Sequence, residues 1–230
     1  MRPVRLPLPA RPTLWLFDLD DTLHNASPVI FERMNRAMTE YVMRHVGLEE
    51  PAANALRREY WQRYGATLLG LMRRHGTDPA HFLAATHQFP DMQQIVDYDH
   101  RVRLLLKHLP GRKVLVSNAP RHYVSAVLAS MRVSAHLHAV ETIESMRFVP
   151  KPARSSLARL LRRHGAGNRG ASQRHRVVMV EDNLANLKSA KRLGLTTVWI
   201  SRAAHKPAFV DFRLRSVLQL ARQRFGRGAA

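Results

Sequence analysis

Two carboxylates stand directly after the first apolar run of the chain. Asp18 and Asp20 follow the run Leu14–Phe17, whose composition predicts a buried parallel strand that ends at these polar groups. Because the two acids are two residues apart at a strand end, both side chains can reach one side of a crevice. A carboxylate can attack phosphorus, whereas a neighbouring protonated carboxyl can donate a proton to a leaving oxygen. This spacing therefore predicts phosphoryl-transfer chemistry.

A second acidic cluster, Glu181-Asp182-Asn183, ends another predicted strand and stands immediately before a predicted helix. Clustered carboxylates repel one another, and a hard divalent cation with oxygen ligands, such as Mg²⁺, fits them best. Mg²⁺ also binds phosphate oxygens, so the two acidic clusters together predict a metal-assisted site. The structural alternative for the second cluster is helix capping, since Asp and Asn are favoured N-cap residues.

Three further residues can contact a phosphoryl group. Ser117 and Asn118 follow a predicted strand, where a hydroxyl and backbone N–H groups can hold phosphoryl oxygens. The alternative is again a cap, because Pro120 is typical of the first turn of a helix. Lys151 stands between two prolines, which restrict its backbone and present the ammonium with little freedom. Taken alone, a lysine in such a setting is usually a solvated loop residue.

The elements that must position these groups alternate from about residue 112 onward. Short β-branched runs predict strands at Lys113–Ser117, Arg176–Glu181 and Thr196–Ile200, with a weaker candidate at His138–Glu141. Helices are predicted between them at Tyr123–Met131, Ala153–His164 and Leu184–Leu193, the last closed by Gly194. Such alternation gives a parallel sheet with helices on both faces, so the predicted fold is a doubly wound α/β core.

The segment between the first two strands is dominated by helix-period patterns and contains no convincing strand. Glycines and prolines divide it into about four predicted helices. Because it leaves the core after Thr22 and returns near Tyr98, we expect it to lie over the carboxyl edge of the sheet, above the ligand site. The predicted organisation is a disordered basic arm at 1–12, a core at 13–23 and 99–230, and a helical cap at 24–98.

Three weaker patterns complete the prediction. Residues 165–173 are predicted to form a polar loop, and Val210–Arg224 an amphipathic terminal helix with a basic outer face. None of the 13 histidines forms a convincing metal pair, and surface positions are favoured for them.

Four pieces of the sequence, in this order along the chain, resemble the haloacid dehalogenase-like (HAD) phosphohydrolases. They are Phe17 to Leu23 with both aspartates, Val116-Ser117-Asn118, Lys151-Pro152 and Val180-Glu181-Asp182-Asn183. The resemblance covers residue 14 to about residue 200, and it implies a Rossmannoid α/β core with a small inserted α-helical cap.

The resemblance also implies a role for each residue. Asp18 is the nucleophile that becomes a phosphoaspartate, and Asp20 is the general acid and then the general base. Ser117, Asn118 and Lys151 bind the transferring phosphoryl group, and Lys151 also offsets the charge on the nucleophile. Mg²⁺ is the implied cofactor, held by Asp18, the backbone carbonyl of Asp20, and Asp182, with Glu181 bound directly or through water.

Two features narrow the resemblance. Haloacid dehalogenases lack the second aspartate, since a carbon–halogen bond needs no leaving-group proton, so Asp20 favours a phosphatase. Asn25-Ala26-Ser27, Met38 to Val42 and Tyr64 to Leu71 resemble the pyrimidine 5'-nucleotidase branch, although ordinary helix packing also explains the last stretch. His24, Asn25 and Tyr64 are the candidates for substrate contact in the cap.

Composition limits the remaining choices. The chain has 230 residues, and its 37 Lys and Arg against 17 Asp and Glu give a formal charge of +20, which predicts attraction to anionic substrates or nucleic acid. Nearly all of this charge is Arg, so a compositional bias of the genome is the alternative. The absence of cysteine excludes disulfides and thiolate catalysis. No run is long enough to span a bilayer, and a cytoplasmic monomer or homodimer is expected.

Taken together, the residues and the resemblance predict a Mg²⁺-dependent phosphomonoesterase for small phosphorylated substrates, with pyrimidine nucleoside 5'-monophosphates first. A phosphatase or phosphomutase for sugar phosphates or phosphoglycolate is the alternative within the same chemistry. A polyanion-binding protein on an inactive HAD core is the alternative from another class, although a binding module has no need for Asp18, Asp20, Lys151 and Asp182 together.

Overall fold

A parallel sheet forms the centre of the molecule in the computed structural model, which describes residues 12–167 and 174–222. Within these residues the sheet has six strands in the order β3-β2-β1-β4-β5-β6, and all neighbours run parallel. The strands are β1 (Leu14–Phe17), β2 (Arg112–Val116), β3 (Ala139–Glu141), β4 (Val177–Glu181), β5 (Thr196–Ile200) and β6 (Phe212–Leu214). The strand order reverses beside β1, and open α/β sheets bind ligands at such a switch point.

Helices fill the segment between β1 and β2, as the sequence predicts. Those that precede Tyr98 are α1 (Ile30–Val46), α2 (Glu50–Tyr64), α3 (Thr67–His75), α4 (Pro79–Thr86) and α5 (Met92–Ile95). The sequence predicts about four helices here, and it misses the break at Gly65 that separates α2 from α3. The two linkers to the core meet where Asn25 pairs antiparallel with Asp97. We refer to α1–α5 as the cap.

Helices cover both faces of the sheet. Those of the core are α6 (Arg101–His108), α7 (Arg121–Met131), α8 (Arg154–Arg163) and α9 (Leu184–Arg192). Alternate residues of a strand point to opposite faces, so Trp15 and Phe17 join one apolar cluster with α6 and α7, whereas Leu14 and Leu16 join a second with α8 and α9. The predicted doubly wound α/β fold is confirmed.

The C-terminal part of the described chain differs from the prediction. The sequence predicts a helix over Val210–Arg224, but the structure has β6 followed by a 3₁₀ helix at Val217–Arg222. β6 pairs in parallel with the last residues of β5, and Asp211 Oδ2 accepts a hydrogen bond from the Thr197 backbone N–H at 2.9 Å. Pairing with the sheet therefore overrides the local helical pattern, and the helix prediction is wrong.

Several predictions fall on residues that the structure does not describe. They concern residues 1–11 of the predicted arm, residues 168–173 of the predicted polar loop, and the last two residues of the predicted terminal helix. Among the described helices, none has the length and apolar content required to cross a membrane.

Candidate active site

The first catalytic candidates meet because β1 and β4 are neighbours in the sheet. Their register pairs Phe17 with Val180, and the Asp18 N–H donates to the Val180 carbonyl at 3.0 Å. Asp18 and Glu181 therefore stand side by side at the carboxyl ends of the two strands. β2 lies on the other side of β1 and ends one residue before Ser117. Three groups that are distant in sequence thus share one edge of the sheet.

Lys151 lies inside this acidic cluster. Its ammonium donates to Asp18 Oδ1 at 2.5 Å and to Glu181 Oε2 at 2.9 Å, and only 1% of its side chain is exposed. Burial by itself lowers the pKa of a lysine, but the two ion pairs raise the pKa of Lys151 above its ordinary value, so the group is charged. Lys151 is therefore a buried cation between two strands rather than a solvated loop residue.

The carboxyl groups beside Lys151 carry more negative charge than one ammonium neutralises. Oxygens of Asp18, Glu181 and Asp182 lie within 4.8 Å of one another. Burial, followed by the charge of Glu181, raises the pKa of Asp18 to about 7. Burial raises the pKa of Glu181 to about 7, and burial together with Asp18 raises the pKa of Asp182 to about 6. Hard oxygen donors with uncompensated charge are the set that Mg²⁺ requires, so these residues fit a divalent cation.

The residues at the end of β4 have two different roles: Asn183 caps a helix N-terminus, and the two acids before it belong to the acidic site. Asn183 is the N-cap of α9, and its Oδ1 accepts from the Ala185 N–H at 2.9 Å. Glu181 uses Oε2 for Lys151 and Oε1 for the Asn183 N–H at 3.2 Å. The capping alternative therefore applies to Asn183, while the two preceding acids face Asp18 and Lys151.

Asp20 is held by two buried donors. Its Oδ1 accepts from the Tyr123 hydroxyl at 2.6 Å and from His24 Nε2 at 2.9 Å. Burial, and then the proximity of Asp20, raises the pKa of Tyr123 above its ordinary value, so the phenol keeps the proton that it donates. Both bonds engage Oδ1, which leaves Oδ2 as the oxygen of Asp20 that can exchange a proton.

The burial of His24 corrects an expectation about the histidines. The sequence analysis favours surface positions, and this is wrong for His24, His87 and His164, which are all buried. His24 contacts Asp20. His164 Nε2 lies 2.8 Å from Oε1 of Glu141, the last residue of β3. Spacing along the chain does not reveal these positions, because the burial comes from contacts with distant strands.

Ser117 and Asn118 form the third side of the cluster. Ser117 is buried, and its Oγ accepts from the Ala119 N–H at 3.1 Å. The Asn118 side chain bonds to the backbone of Lys151 on both its donor and its acceptor atoms. The side-chain amide of Asn118 therefore positions Lys151, and its backbone N–H is the group that is left to bind an anion.

Asp21, the third aspartate of the motif, has a structural role. Its Oδ1 accepts from the backbone N–H groups of Ala26 and Ser27, both at 2.9 Å, and its Oδ2 accepts from the Ser27 hydroxyl. Asp21 itself adopts the left-handed conformation with φ of 54°. It closes the turn that leads from β1 into the cap, and both of its oxygens are occupied there.

A cavity of about 490 Å³ opens above Asp20, between the cap and the core. The cap contributes apolar side chains together with Asn35, Arg57 and Trp61. Arg57 donates from Nη1 to Asn35 Oδ1 at 2.7 Å, while its buried Nε has no hydrogen-bond partner among the described residues. A cavity with aromatic and aliphatic walls and a few converging polar groups is typical of a small-molecule site.

The three candidates for substrate contact lie in different places. Tyr64 lines an adjacent cavity of about 660 Å³ together with Lys151 and Asn118. His24 is buried against Asp20, and the exposed Asn25 donates from Nδ2 to Asp97 Oδ2 at 2.7 Å. Neither His24 nor Asn25 is among the residues that line the two cavities. We therefore assign His24 to the positioning of Asp20 and Asn25 to the junction of the cap linkers.

Comparison with known protein families identifies the family to which this chain belongs. A model of the haloacid dehalogenase-like hydrolases matches residues 13–194, which include all the residues of the acidic cluster. This chain is a HAD-like hydrolase. The match confirms the family resemblance in the sequence.

Individual relatives of this HAD-like hydrolase are distant. Phosphate metabolism protein 8 of Saccharomyces cerevisiae is 24% identical over 207 residues, which are 82% of this chain and 61% of that protein. The chain therefore spans less than two thirds of this curated relative. A HAD phosphatase from Thermococcus onnurineus superposes with a TM-score of 0.59 at 20% identity, covering 91% of this chain and 96% of that one. An L-2-haloacid dehalogenase from Xanthobacter autotrophicus superposes with a TM-score of 0.56 at 17% identity, covering 95% and 99%.

Two groups near the site are absent from the sequence prediction for this HAD-like hydrolase. Tyr123 is 103 positions from Asp20, and the sequence shows it only as the first residue of a predicted helix. Arg57 belongs to α2 of the cap. A signal for Tyr123 exists in hindsight, since it is a polar aromatic residue in the first turn of the helix that follows Ser117. No local pattern distinguishes Arg57 from the other arginines.

Proposed function

We propose that the protein is a Mg²⁺-dependent phosphomonoesterase that forms an aspartyl phosphate on Asp18, with pyrimidine nucleoside 5'-monophosphates as preferred substrates. The observation that carries the choice of phosphoester is the environment of Asp20, whose Oδ1 is held by Tyr123 and His24. A carbon–halogen bond needs no proton on its leaving group, whereas an alkoxide leaving group does. A positioned acid next to the nucleophile therefore favours phosphatase over dehalogenase chemistry.

In the first step, an oxygen of Asp18 attacks phosphorus, and the bond between phosphorus and the substrate's ester oxygen breaks. That oxygen takes a proton from Asp20, which becomes a carboxylate. In the second step, water attacks the same phosphorus and gives one proton back to Asp20. The bond between phosphorus and Asp18 breaks, so inorganic phosphate leaves and both aspartates return to their starting states.

The phosphoryl group needs positive charge and hydrogen-bond donors around it. Lys151 donates to Asp18 and offsets its charge, which lets an anionic phosphate approach an anionic nucleophile. The Ser117 hydroxyl and the backbone N–H of Asn118 are the donors that we assign to the phosphoryl oxygens. Asp18, the Asp20 carbonyl and Asp182 would hold Mg²⁺, with Glu181 acting through Lys151 or a bound water. When bound, the ion neutralises charge on the phosphate and on the carboxylates.

The cavity above Asp20 supports a nucleoside as the leaving group. Trp61 lines this cavity, and 57% of the residue is exposed, so its aromatic face is accessible. Arg57 and Asn35 line the same cavity and offer hydrogen-bonding groups. A pyrimidine ring can stack on an indole and accept a hydrogen bond from a guanidinium at its carbonyl oxygen. A sugar phosphate or phosphoglycolate would leave the aromatic wall without a partner, which is why we place nucleotides first.

The decisive experiment measures phosphate release from UMP, CMP, AMP, phosphoglycolate and glucose 6-phosphate, each with Mg²⁺ and with EDTA. Halide release from L-2-chloropropionate is measured in parallel, and Asp18→Asn serves as the inactive control. We expect Mg²⁺-dependent turnover that is highest on UMP or CMP and absent in the variant. Turnover that is highest on the other esters would overturn the nucleotide assignment, and halide release without phosphate release would overturn the phosphatase assignment. Silence on every substrate, combined with RNA binding that survives Asp18→Asn, would favour a binding protein.

A further inference from the structure

A third cavity lies outside the cleft between cap and core. It has a volume of about 590 Å³ and lies on the flank of the core, between α6 and the segment in which α7 ends. We call it the flank cavity. Met131, one of its lining residues, ends α7, the helix whose first turn follows Ser117 and Asn118. Since α7 has 11 residues and a helix rises about 1.5 Å per residue, the flank cavity is roughly 15 Å from the catalytic edge.

Three cationic side chains line the flank cavity. Arg103 and Lys107 are exposed residues four positions apart on α6, and Arg132 follows the last residue of α7. In the part of the chain that the structure describes, none of the three side chains forms an ion pair or a side-chain hydrogen bond. No carboxylate is among the residues that line the cavity. Several cations that converge without a counter-charge create a positive potential that attracts an anion.

A buried nitrogen gives an independent sign that a ligand belongs here. His136 lines the flank cavity, and its Nε2 is buried without a hydrogen-bond partner in the described structure. Buried polar atoms in proteins nearly always have a partner, so an orphaned one needs an explanation. Burial, and then the charges of Arg103 and Lys107, lower the pKa of His136, so the imidazole is neutral at pH 7. A neutral imidazole can still donate one hydrogen bond to an anionic oxygen.

Part of the lining of the flank cavity is apolar. Tyr98, Leu104 and Met131 contribute to it, and Leu104 is 58% exposed although it is a large aliphatic residue. The Tyr98 ring also packs edge-on against His100, with ring centroids 4.8 Å apart. An apolar surface beside a cluster of cations suits a molecule with an anionic group at one end and a ring at the other.

We propose that the flank cavity is a second ligand site that binds the phosphate group of a small molecule carrying an aromatic or aliphatic ring. Arg103, Lys107 and Arg132 bind the phosphate oxygens, His136 donates a further hydrogen bond, and the apolar part of the lining contacts the ring. The cavity is concave and has the size of a small-molecule site, whereas a nucleic-acid backbone needs an extended surface. This site uses none of the catalytic residues, so it stands independently of the function proposed above.

The test uses phenylphosphonate, whose phosphorus–carbon bond is not a phosphoester. It is titrated into the full-length protein by calorimetry, in EDTA, and the side-chain ¹⁵N resonances of His136 are followed by NMR. The pocket variant is Arg103→Ala with Lys107→Ala. The matched control is Lys188→Ala with Arg192→Ala, which removes the same two charges at the same spacing from exposed positions of α9. Alanine is the best helix former, so both variants should fold.

We expect phenylphosphonate to shift the His136 Nε2 resonance in the wild type. The pocket variant should bind about tenfold or more weakly, because two charge-assisted hydrogen bonds are lost, and the control should bind like the wild type. Methylphosphonate, which lacks the ring, should bind more weakly than phenylphosphonate. Equal weakening in both variants would assign the binding to the overall charge of +20 and overturn the proposal, as would an unchanged His136 resonance. A uridine decamer that binds more tightly than phenylphosphonate through these same residues would assign the surface to nucleic acid and overturn it.

Discussion

The side chain of Asn118 bonds to both backbone groups of Lys151. Asn118 Oδ1 accepts from the Lys151 N–H at 2.8 Å, and Asn118 Nδ2 donates to the Lys151 carbonyl at 3.0 Å. The two residues are 33 positions apart, and the pair of bonds ties the loop before α8 to the end of β2. These two bonds help to hold the backbone from which the Lys151 ammonium reaches Asp18. This makes Asn118 a positioning residue for the buried ammonium.

Replacing Asn118 by Asp tests this role with almost no change in volume. The carboxylate can still accept from the Lys151 N–H, but it faces the Lys151 carbonyl with an acceptor instead of a donor. We expect kcat to fall about 10- to 100-fold with a smaller change in KM, as for other groups that orient a functional side chain. Asn54→Asp is the isosteric control, since Asn54 uses its Oδ1 to accept from Thr39. Equal kcat values for the Asn118→Asp enzyme and the control would remove Asn118 from the site.

The loss of activity on replacing Asp20 is expected to be larger for substrates whose leaving group needs a proton. Asp20→Asn should lower kcat/KM for UMP about 100-fold or more, because a nucleoside alkoxide is a poor leaving group. The loss should be much smaller for p-nitrophenyl phosphate, whose phenolate leaves unaided. Tyr123→Phe, which removes one of the two donors to Asp20 Oδ1, should follow the same substrate pattern at smaller size. If both substrates lose activity equally, Asp20 is not the proton donor.

Asp182 is expected to set the affinity for Mg²⁺. Asp182→Asn removes one of three clustered carboxylates, so the Mg²⁺ concentration for half-maximal activity should rise about tenfold or more. The melting temperature gives a readout that does not need turnover. Mg²⁺ should raise the melting temperature of the wild type, because it binds the folded state alone, and raise that of the variant less. An identical Mg²⁺-induced shift in the two proteins would place the metal elsewhere.

His87 is expected to make the fold sensitive to acid. Burial is the main cause that lowers the pKa of His87 to about 4, whereas the unfolded chain has an ordinary histidine near 6.5. Between pH 6.5 and pH 4, His87 binds a proton in the unfolded chain but not in the folded protein. The free energy of unfolding therefore decreases as the pH falls through this range. From pH 8 to pH 5 the wild type should lose about 2 kcal/mol more unfolding free energy than His87→Gln, which cannot titrate. Urea denaturation of both proteins across this range measures the difference, and parallel curves would contradict it.

Arg57 is expected to select the leaving group without taking part in the chemistry. Its buried Nε lacks a partner in the described structure and it lines the cavity above Asp20, so a bound base can engage it. Arg57→Ala should lower kcat/KM for UMP about tenfold relative to p-nitrophenyl phosphate, through the loss of a charge-assisted hydrogen bond. Arg58→Ala, at the exposed neighbouring position, should leave this ratio unchanged. A ratio that responds equally to both variants would exclude Arg57 from specificity.

The class of fold and the order of the chemical groups along the chain could be predicted from the amino-acid sequence. Buried parallel strands are short and β-branched, and the helices between them have an apolar period, so β1, β2, β4 and β5 were predictable within a residue or two. The family follows in the same way, because a motif such as Phe17 to Leu23 is local. Asp18, Asp20, Lys151 and Asp182 stand out because each lies just after a strand or in a restricted loop, and their catalytic roles remain predictions.

The contacts that hold those groups in place become visible only in the folded chain. The pairing of Lys151 with both Asp18 and Glu181, the amide of Asn118 on the backbone of Lys151, and the phenol of Tyr123 on Asp20 join residues that are 30 to 133 positions apart. The same reason explains the error at the C-terminus, where strand pairing with β5 replaced a local helical pattern. Such contacts depend on strand register and on which side chains share a buried space. Local propensity carries no information about either. Local motifs therefore predict which groups belong to the site, but they do not predict which residues position those groups.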